Sequence, residues 1–121
     1  PYGEEFYDIL ELKRYDVNTY IDIRGISGFA AKVYRALEQA RKYREIIQSN
    51  ESVRTSIEKK LGIKCYMPRC LIFIGKSGKS ISPEKKRSIH SSIEPDRIFS
   101  YDDVLIKIKQ GFHAQYGRLN K

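Results

Sequence analysis

A glutamate and a lysine two residues apart are the strongest candidates in this sequence for a functional pair of charged side chains. They lie in the stretch Tyr7-Asp8-Ile9-Leu10-Glu11-Leu12-Lys13-Arg14, which supplies apolar mass without a preceding helix cap and is typical of a short strand. Side chains alternate between the faces of a strand, so Glu11 and Lys13 project together. Charged side chains are rarely buried without a partner. The pair therefore indicates either an ion pair at a strand end or part of a functional site.

The element that follows is predicted to be a long helix. Ser27 can cap a helix from about Gly28 to Ser49, because apolar residues there recur at helical spacing. Lys32, Gln39 and Tyr43 fall together on one flank, outside the apolar stripe. Considered alone, Gln39 is an ordinary exposed helix residue. The stripe that should face the core consists of Phe29, Ala30, Val33, Leu37 and Ala40.

The rest of the chain alternates between strand and helix patterns, which predicts an α/β layered domain over residues 1–121. Residues 15–28 form either a second strand or an ordered loop, and the pattern does not separate the two. The later predicted elements are a helix Glu51–Leu61 between Asn50 and Gly62, a buried strand Cys70–Ile74, a helix from Pro83 to about Ile93, a strand Arg97–Phe99, and a helix that begins after Ser100 and ends at Gly111. The tail from Phe112 is expected to be either frayed or part of a missing segment.

The charge balance favours a polyanionic partner. The net charge is +8, from 23 Lys and Arg against 15 Asp and Glu, which suits nucleic acid or an acidic membrane surface. No apolar run reaches the roughly 18 residues of a membrane span, and no signal peptide begins the chain, so we expect a cytoplasmic protein without a membrane partner. The first residue is Pro1 and the sequence reads as a piece of a longer protein. Cys65 and Cys70 lack the spacing of a zinc site and are expected to be free thiols.

A glycine- and lysine-rich loop follows the predicted buried strand but does not fit nucleotide binding. In Gly75-Lys76-Ser77-Gly78-Lys79-Ser80, the first glycine of a Walker A loop would have to stand at Phe73, which belongs to the strand. Lys76 and Lys79 are therefore either part of a solvated turn or contacts to a nucleic-acid backbone.

Other residues that could act in catalysis or metal binding have structural interpretations. His90 and His113 are isolated, which is more typical of a surface or hydrogen-bonded side chain than of a base or a ligand. Asp102 and Asp103 fit the start of a helix, where acids are favourable. Lys85-Lys86-Arg87 fits a solvated helix face.

Four stretches together resemble one protein family. Glu11-Leu12-Lys13-Arg14 resembles the E-x-K half of the PD-(D/E)XK nuclease signature, and a helix with Ala36-Leu37-Glu38-Gln39-Ala40-Arg41-Lys42-Tyr43 follows it. Arg69 to Gly75 is similar to the buried strand of the family, which ends in glycine. Ser100 to Leu105 is similar to the start of a late helix of the family, which carries Tyr and Asp. In this order the stretches resemble the C-terminal nuclease domain of Shedu anti-phage defence proteins, over nearly the whole chain.

The resemblance implies a restriction-endonuclease-like fold, a mixed sheet flanked by helices, that cuts DNA with Mg²⁺ or Mn²⁺ in bacterial anti-phage defence. Glu11 would hold the metal, and Lys13 would orient water or stabilise the developing charge. Gln39 would complete the catalytic set with support from Tyr43. Candidate DNA contacts are Lys32, Lys76 and Lys79, and the parent protein could form a homo-oligomer.

One feature departs from the family pattern. The family has an upstream aspartate as a second metal ligand, but strand parity places Asp8 on the face opposite Glu11. Asp16 and Asp22 lie downstream. We therefore expect the matching aspartate before Pro1, in which case this segment alone would be inactive or bind metal poorly. The alternatives are a non-catalytic nucleic-acid-binding or regulatory module with the nuclease fold, and an assembly domain whose basic surface serves solubility.

Overall fold

A computed structural model describes residues 7–78 and 81–119 of the chain, with side chains described as far as Gln110. The described part contains five strands and four helices. In chain order they are β1 (Ile9–Leu12), β2 (Tyr20–Ile23), β3 (Ile26–Phe29), α1 (Ala31–Ser49), α2 (Glu51–Leu61), β4 (Cys70–Phe73), α3 (Pro83–Ser91), β5 (Arg97–Phe99) and α4 (Tyr101–Leu119).

The chain is an α/β protein, as its alternating patterns predict. Strands β1, β4 and β5 form a parallel sheet in that order, and β2 pairs with β3 in a separate antiparallel hairpin. In the parallel sheet Glu11 lies opposite Ile72, which in turn lies opposite Ile98. The apolar run predicted to be a buried strand is β4, in the middle of the sheet, where Ile72 is inaccessible to solvent. Within the described sheet, Glu11 therefore lies on an outer strand beside the buried core.

Helix α1 covers the sheet face from which Glu11 and Ile72 project. Its buried residues are Val33, Ala36, Leu37 and Ala40, and it contacts both β1 and β4. Full burial of a large apolar side chain such as Leu37 contributes about 1.5–3 kcal/mol to folding. The core stripe expected from helical periodicity is confirmed at Val33, Leu37 and Ala40. Because the helix is anchored along this stripe, its polar flank is held beside β1.

The expected start of the long helix is wrong, because a hairpin occupies its first residues. Ile26–Phe29 pairs with Tyr20–Ile23, so α1 begins at Ala31, after Ala30, rather than at Gly28. Ser27 does not cap a helix, since its hydroxyl donates a hydrogen bond to Asp22 at 3.1 Å. The turn between the strands, Arg24-Gly25, has φ values of 54° and 82°, which suit the tight turns of two-residue hairpins.

The capping residues of the next two helices are those that the sequence predicts. The Asn50 side chain accepts a hydrogen bond from the Val53 N–H at 3.1 Å at the start of α2, and Gly62 ends that helix with φ of 66°. Ser82 accepts from the Lys85 N–H at 3.3 Å, ahead of Pro83 in the first turn of α3. These short-range hydrogen bonds satisfy backbone groups that a helix terminus otherwise leaves unpaired.

The last helix begins as expected and extends further than expected. The Ser100 hydroxyl donates to Asp103 at 2.7 Å, but α4 passes through Gly111 and reaches Leu119. The predicted end at Gly111 and the frayed tail after it are therefore wrong over this range. An isolated glycine costs a helix only about 1 kcal/mol, which the neighbouring helix-forming residues can offset. No helix in the described ranges is both long and apolar enough to cross a membrane.

Candidate active site

The C-terminal end of β1 is fixed by three backbone contacts from other elements. The Lys13 N–H donates to the Phe73 carbonyl at 2.9 Å, and the Gly75 N–H donates to the Arg14 carbonyl at 2.9 Å. The Tyr101 hydroxyl, in the first turn of α4, donates to the Lys13 carbonyl at 2.7 Å. The backbone of Lys13 is therefore held from β4 and from α4, and that of Arg14 from the loop after β4.

Gly75 permits the close approach of two chain segments at this point. Its φ is +76°, and a Cβ added there would lie 2.6 Å from the Val17 carbonyl oxygen and 2.8 Å from the Thr19 hydroxyl. Real Cβ atoms do not approach a carbonyl oxygen this closely, and a positive φ also favours glycine. The loop after β4 can therefore pack against the loop after β1, which closes one end of the site.

Three residues predicted for the site meet at the Lys13 ammonium group. Lys13 Nζ donates a hydrogen bond to Gln39 Oε1 at 2.9 Å and lies 3.7 Å from Glu11 Oε2. The Lys13 and Glu11 side chains are 32% and 22% exposed, so both are shielded in part from water and still reachable by a ligand. The ion pair that the sequence allowed is present, and Gln39 from α1 is added to it.

A cleft of about 690 Å³ opens between the end of β1 and the polar flank of α1. Its walls carry five cationic side chains and one acidic side chain, so its potential is positive. Tyr43, the predicted supporting residue, lines it one helical turn after Gln39, and its side chain is half exposed. Glu11 lies beside Lys13 but does not line the cleft itself. The charged and polar residues of the walls are Lys13, Arg14, Lys32, Arg35, Glu38, Gln39, Lys42 and Tyr43.

The three lysines predicted to contact DNA do not form one group. Lys32 lines the cleft. Lys76 lies over the ring of Tyr15, with its Nζ 5.2 Å from the ring centroid, and does not line the cleft. Lys79 lies outside the described residues. The structure therefore supports a place in the cleft for Lys32. Three further cleft cations, Arg14, Arg35 and Lys42, were not predicted from the sequence.

Asp8 is engaged with Arg69. Its carboxylate accepts a hydrogen bond from the Arg69 N–H at 2.8 Å and one from the guanidinium at 3.0 Å. Partial burial opposes ionisation of Asp8, but the hydrogen bonds from Arg69 outweigh it and lower the pKa of the carboxyl group. Asp8 thus has a structural partner at the start of β1.

The two downstream aspartates also have partners. Asp16 forms an exposed ion pair with Arg14. Asp22 accepts hydrogen bonds from Gly25 and Ser27 in the hairpin turn. Among the described carboxylates, Glu11 rather than Asp16 or Asp22 pairs with Lys13.

The described residues fit a metal only in part. No group of three or more His, Cys, Asp or Glu side chains in the described ranges could hold an ion. Mg²⁺ is commonly held by one or two carboxylates together with substrate phosphates and water. Glu11 fits such a shared site as one oxygen ligand, and it does not make a metal site by itself.

The loop after β4 is tied to the start of α4. Asp102 accepts hydrogen bonds from the Ser77 N–H at 2.9 Å and from the Gly78 N–H at 3.3 Å. Burial opposes ionisation of Asp102, but these bonds outweigh it and lower its pKa to about 2. A carboxylate of the protein thus uses the N–H groups that a phosphate would need, which agrees with the rejection of a nucleotide-binding loop.

His90, in α3, is a hydrogen-bonded side chain that does not line the cleft. Its Nε2 lies 2.5 Å from the Tyr20 hydroxyl. Burial lowers the pKa of His90, and burial with the nearby Asp103 carboxylate raises the pKa of Tyr20 to about 12. Both groups are therefore neutral at physiological pH, as suits a half-buried pair. His113 is in the part of α4 whose side chains are not described.

Comparison of the chain with protein-family models, with curated proteins and with solved structures finds no significant match. The function must therefore be argued from the site. The sequence reasoning missed Tyr101 as a contact of Lys13, and no local signal points to it. It also missed Arg35 and Lys42, although their spacing from Lys32 and Gln39 along one helix was a usable signal.

Proposed function

We propose that this chain is a metal-dependent DNA endonuclease domain of the PD-(D/E)XK type, similar to the C-terminal domain of Shedu defence proteins. The observation that carries the proposal is the position of the Lys13 ammonium group. It lies 3.7 Å from Glu11 and 2.9 Å from Gln39, at the edge of a cationic cleft. A carboxylate, a lysine and a polar helix residue at one strand end match the E-x-K half of the nuclease signature, whose upstream aspartate we expect before Pro1.

Each residue has a separate task in the proposed hydrolysis of a phosphodiester bond. Glu11 would hold Mg²⁺ or Mn²⁺, which when bound neutralises phosphate charge and acidifies water. Lys13 has three N–H donors, and Gln39 accepts one of them. The remaining donors can contact the attacking water or a phosphate oxygen whose negative charge increases in the transition state. Gln39 thus orients Lys13, and Tyr43 lines the cleft one turn further along α1.

The positive cleft provides the attraction for the substrate. DNA carries one negative charge for every 1.7 Å or so of its axis, so cationic clefts raise its local concentration and its rate of association. The cleft walls carry five cations against one acid, which is consistent with a polyanionic substrate.

The proposal is tested by incubating plasmid DNA with the complete protein and Mg²⁺. We expect Glu11→Ala and Lys13→Ala each to reduce the cleavage rate by about 100-fold or more, the usual effect of removing a group that stabilises transition-state charge. Glu45→Ala and Lys64→Ala are matched controls at exposed positions outside the cleft. If Glu11→Ala and Lys13→Ala cut DNA as fast as the parent, the assignment of this pair is wrong.

A non-catalytic DNA-binding or regulatory module is the second candidate. The shortage of metal ligands favours it, because Glu11 alone among the described residues provides a carboxylate within ion-pair distance of Lys13. The two functions differ in one measurement. Salt-sensitive DNA binding by the complete protein without any metal-dependent cleavage would select the binding module.

A further inference from the structure

Three cations follow one another along the cleft side of α1. Lys32, Arg35 and Lys42, which we call the basic ridge, are separated by three and seven residues. At about 100° per residue, these positions and Gln39 fall within a sector of roughly 80° on the helix surface. All four residues line the cleft. The basic ridge is therefore one continuous cationic surface.

The charges of the basic ridge are available to a ligand. All three side chains are exposed, and within the described residues none of them forms an ion pair or a side-chain hydrogen bond. Other basic residues are already engaged, such as Arg44 with Asp96 and Arg69 with Asp8.

Two carboxylates lie near the ridge without forming an ion pair with it. Glu38 lines the same cleft, and the pKa of Asp16 is lowered mainly by its hydrogen bonds from Arg14 and to a smaller extent by the charge of Lys32. The ridge therefore keeps an excess of positive charge that attracts an anion.

Gln39 connects the basic ridge to the candidate active site. It lies one turn after Arg35 and one turn before Lys42 on α1, and it accepts the hydrogen bond from Lys13. A helix rises 1.5 Å per residue, so the ridge extends over about 15 Å. That length covers several successive phosphates of a nucleic-acid strand, with Lys13 facing the part of the row between Arg35 and Lys42.

We propose that the basic ridge binds successive phosphates of the DNA strand, on both sides of the phosphate that contacts Lys13. The inference rests on the proposed function and names the surface that would hold its substrate. Arg35 can contact a phosphate through two N–H groups, and Lys32 and Lys42 act as point charges. Contacts of this kind position the duplex and carry no sequence information. The ridge would thus set the path of the strand across the active site, independently of base sequence.

The experiment measures DNA affinity without cleavage. A duplex oligonucleotide is titrated with the complete protein in EDTA at several salt concentrations. The ridge variant is Lys32→Gln, Arg35→Gln and Lys42→Gln in combination, since glutamine keeps helix propensity. The control variant is Lys60→Gln, Arg87→Gln and Lys109→Gln, which removes the same charges from exposed positions on three other helices.

We expect the ridge variant to lose at least tenfold in affinity, and its plot of log affinity against log salt to become shallower by about 2–3, since each lost phosphate contact removes about 0.9. The control variant should change much less. Equal effects in both variants, or no DNA binding by the parent, would show that the basic ridge does not bind DNA phosphates. If a ridge effect accompanies a parent that never cuts DNA, the ridge stands and the nuclease proposal fails. Circular dichroism checks folding, and Arg35→Gln alone should show about one third of the slope change.

Discussion

The Lys13 ammonium group contacts one charged group, the Glu11 carboxylate, and one neutral group, the Gln39 amide. Glu11 at 3.7 Å offsets part of its charge, and Gln39 at 2.9 Å fixes its direction without neutralising it. A lysine paired only with carboxylates would be less available to a phosphate, since its charge would be satisfied within the protein. The amide of Gln39 therefore suits a lysine that must be oriented and still attract an anion.

At the scale of single residues, we predict that Gln39→Ala slows cleavage with little effect on folding. The substitution removes the acceptor that orients Lys13, and hydrogen bonds to charged groups contribute about 1.5–3 kcal/mol. Because the Lys13 side chain is partly exposed, we expect the lower end, a loss of about tenfold in kcat. Single-turnover cleavage measures it.

Gln48→Ala is the matched control for Gln39→Ala, since Gln48 is an exposed glutamine of the same helix outside the cleft. A Gln39→Ala variant that cuts DNA at the rate of the control would show that the hydrogen bond to Lys13 has no part in catalysis.

At the scale of elements, β1 depends on its neighbours for the placement of the site. It has only four residues, Ile9–Leu12, and Lys13 lies just past its end. Contacts from β4 and from Tyr101 of α4 hold the backbone there. Tyr101 in turn donates its backbone N–H to the Gly75 carbonyl at 2.9 Å. The first turn of α4 is therefore a support for the candidate active site, although none of its side chains lines the cleft.

We predict that Tyr101→Phe lowers kcat by about three- to tenfold and leaves KM nearly unchanged. The change removes one hydroxyl and its hydrogen bond to the Lys13 carbonyl, a contact expected to contribute about 0.5–1.5 kcal/mol, while the ring still packs near Phe73. Steady-state kinetics separates the two constants.

Tyr34→Phe provides the comparison for Tyr101→Phe, because the Tyr34 ring contacts Phe29 and lies outside the cleft. A rise in KM without a change in kcat in Tyr101→Phe would contradict a positioning role, since it would indicate lost substrate binding instead.

At the scale of the whole molecule, a buried carboxylate joins the main helix to the sheet. Asp96, just before β5, is 1% exposed. It accepts hydrogen bonds from Arg41 and Arg44 of α1 and from the Cys70 N–H of β4. Burial opposes ionisation of Asp96, but these donors outweigh it and lower its pKa. The cluster fixes the position of α1 on the sheet, and with it the distance from Gln39 to Lys13.

We predict that Asp96→Ala destabilises the protein by about 3 kcal/mol or more. The substitution leaves two arginines without their buried acceptor, and breaking one side of a buried ion pair typically costs about 3–5 kcal/mol. Urea unfolding followed by circular dichroism measures the free energy of unfolding.

Asp16→Ala is the control, because it removes an exposed partner of an arginine and should change the stability little. Equal stability of the two variants would show that the Asp96 cluster does not anchor α1.

The features that depend on near neighbours in the chain could be predicted from local sequence patterns. The caps at Asn50, Gly62 and Ser82 follow from hydrogen bonds within four residues, and the strand at Cys70–Phe73 follows from an uninterrupted apolar run. The shared face of Glu11 and Lys13 follows from strand alternation alone. The sequence did not determine the hairpin strand Ile26–Phe29, because local patterns do not state which strand will pair with which.

Which side chains meet at the site depends on long-range packing. Gln39 reaches Lys13 across 26 residues, and Tyr101 reaches it across 88. Helical periodicity places Gln39 off the core stripe, but its distance from Lys13 depends on how α1 is seated on the sheet. That seating results from long-range contacts such as Asp96 with Arg41 and Arg44. Such contacts arise from packing of the whole chain, so no local spacing encodes them.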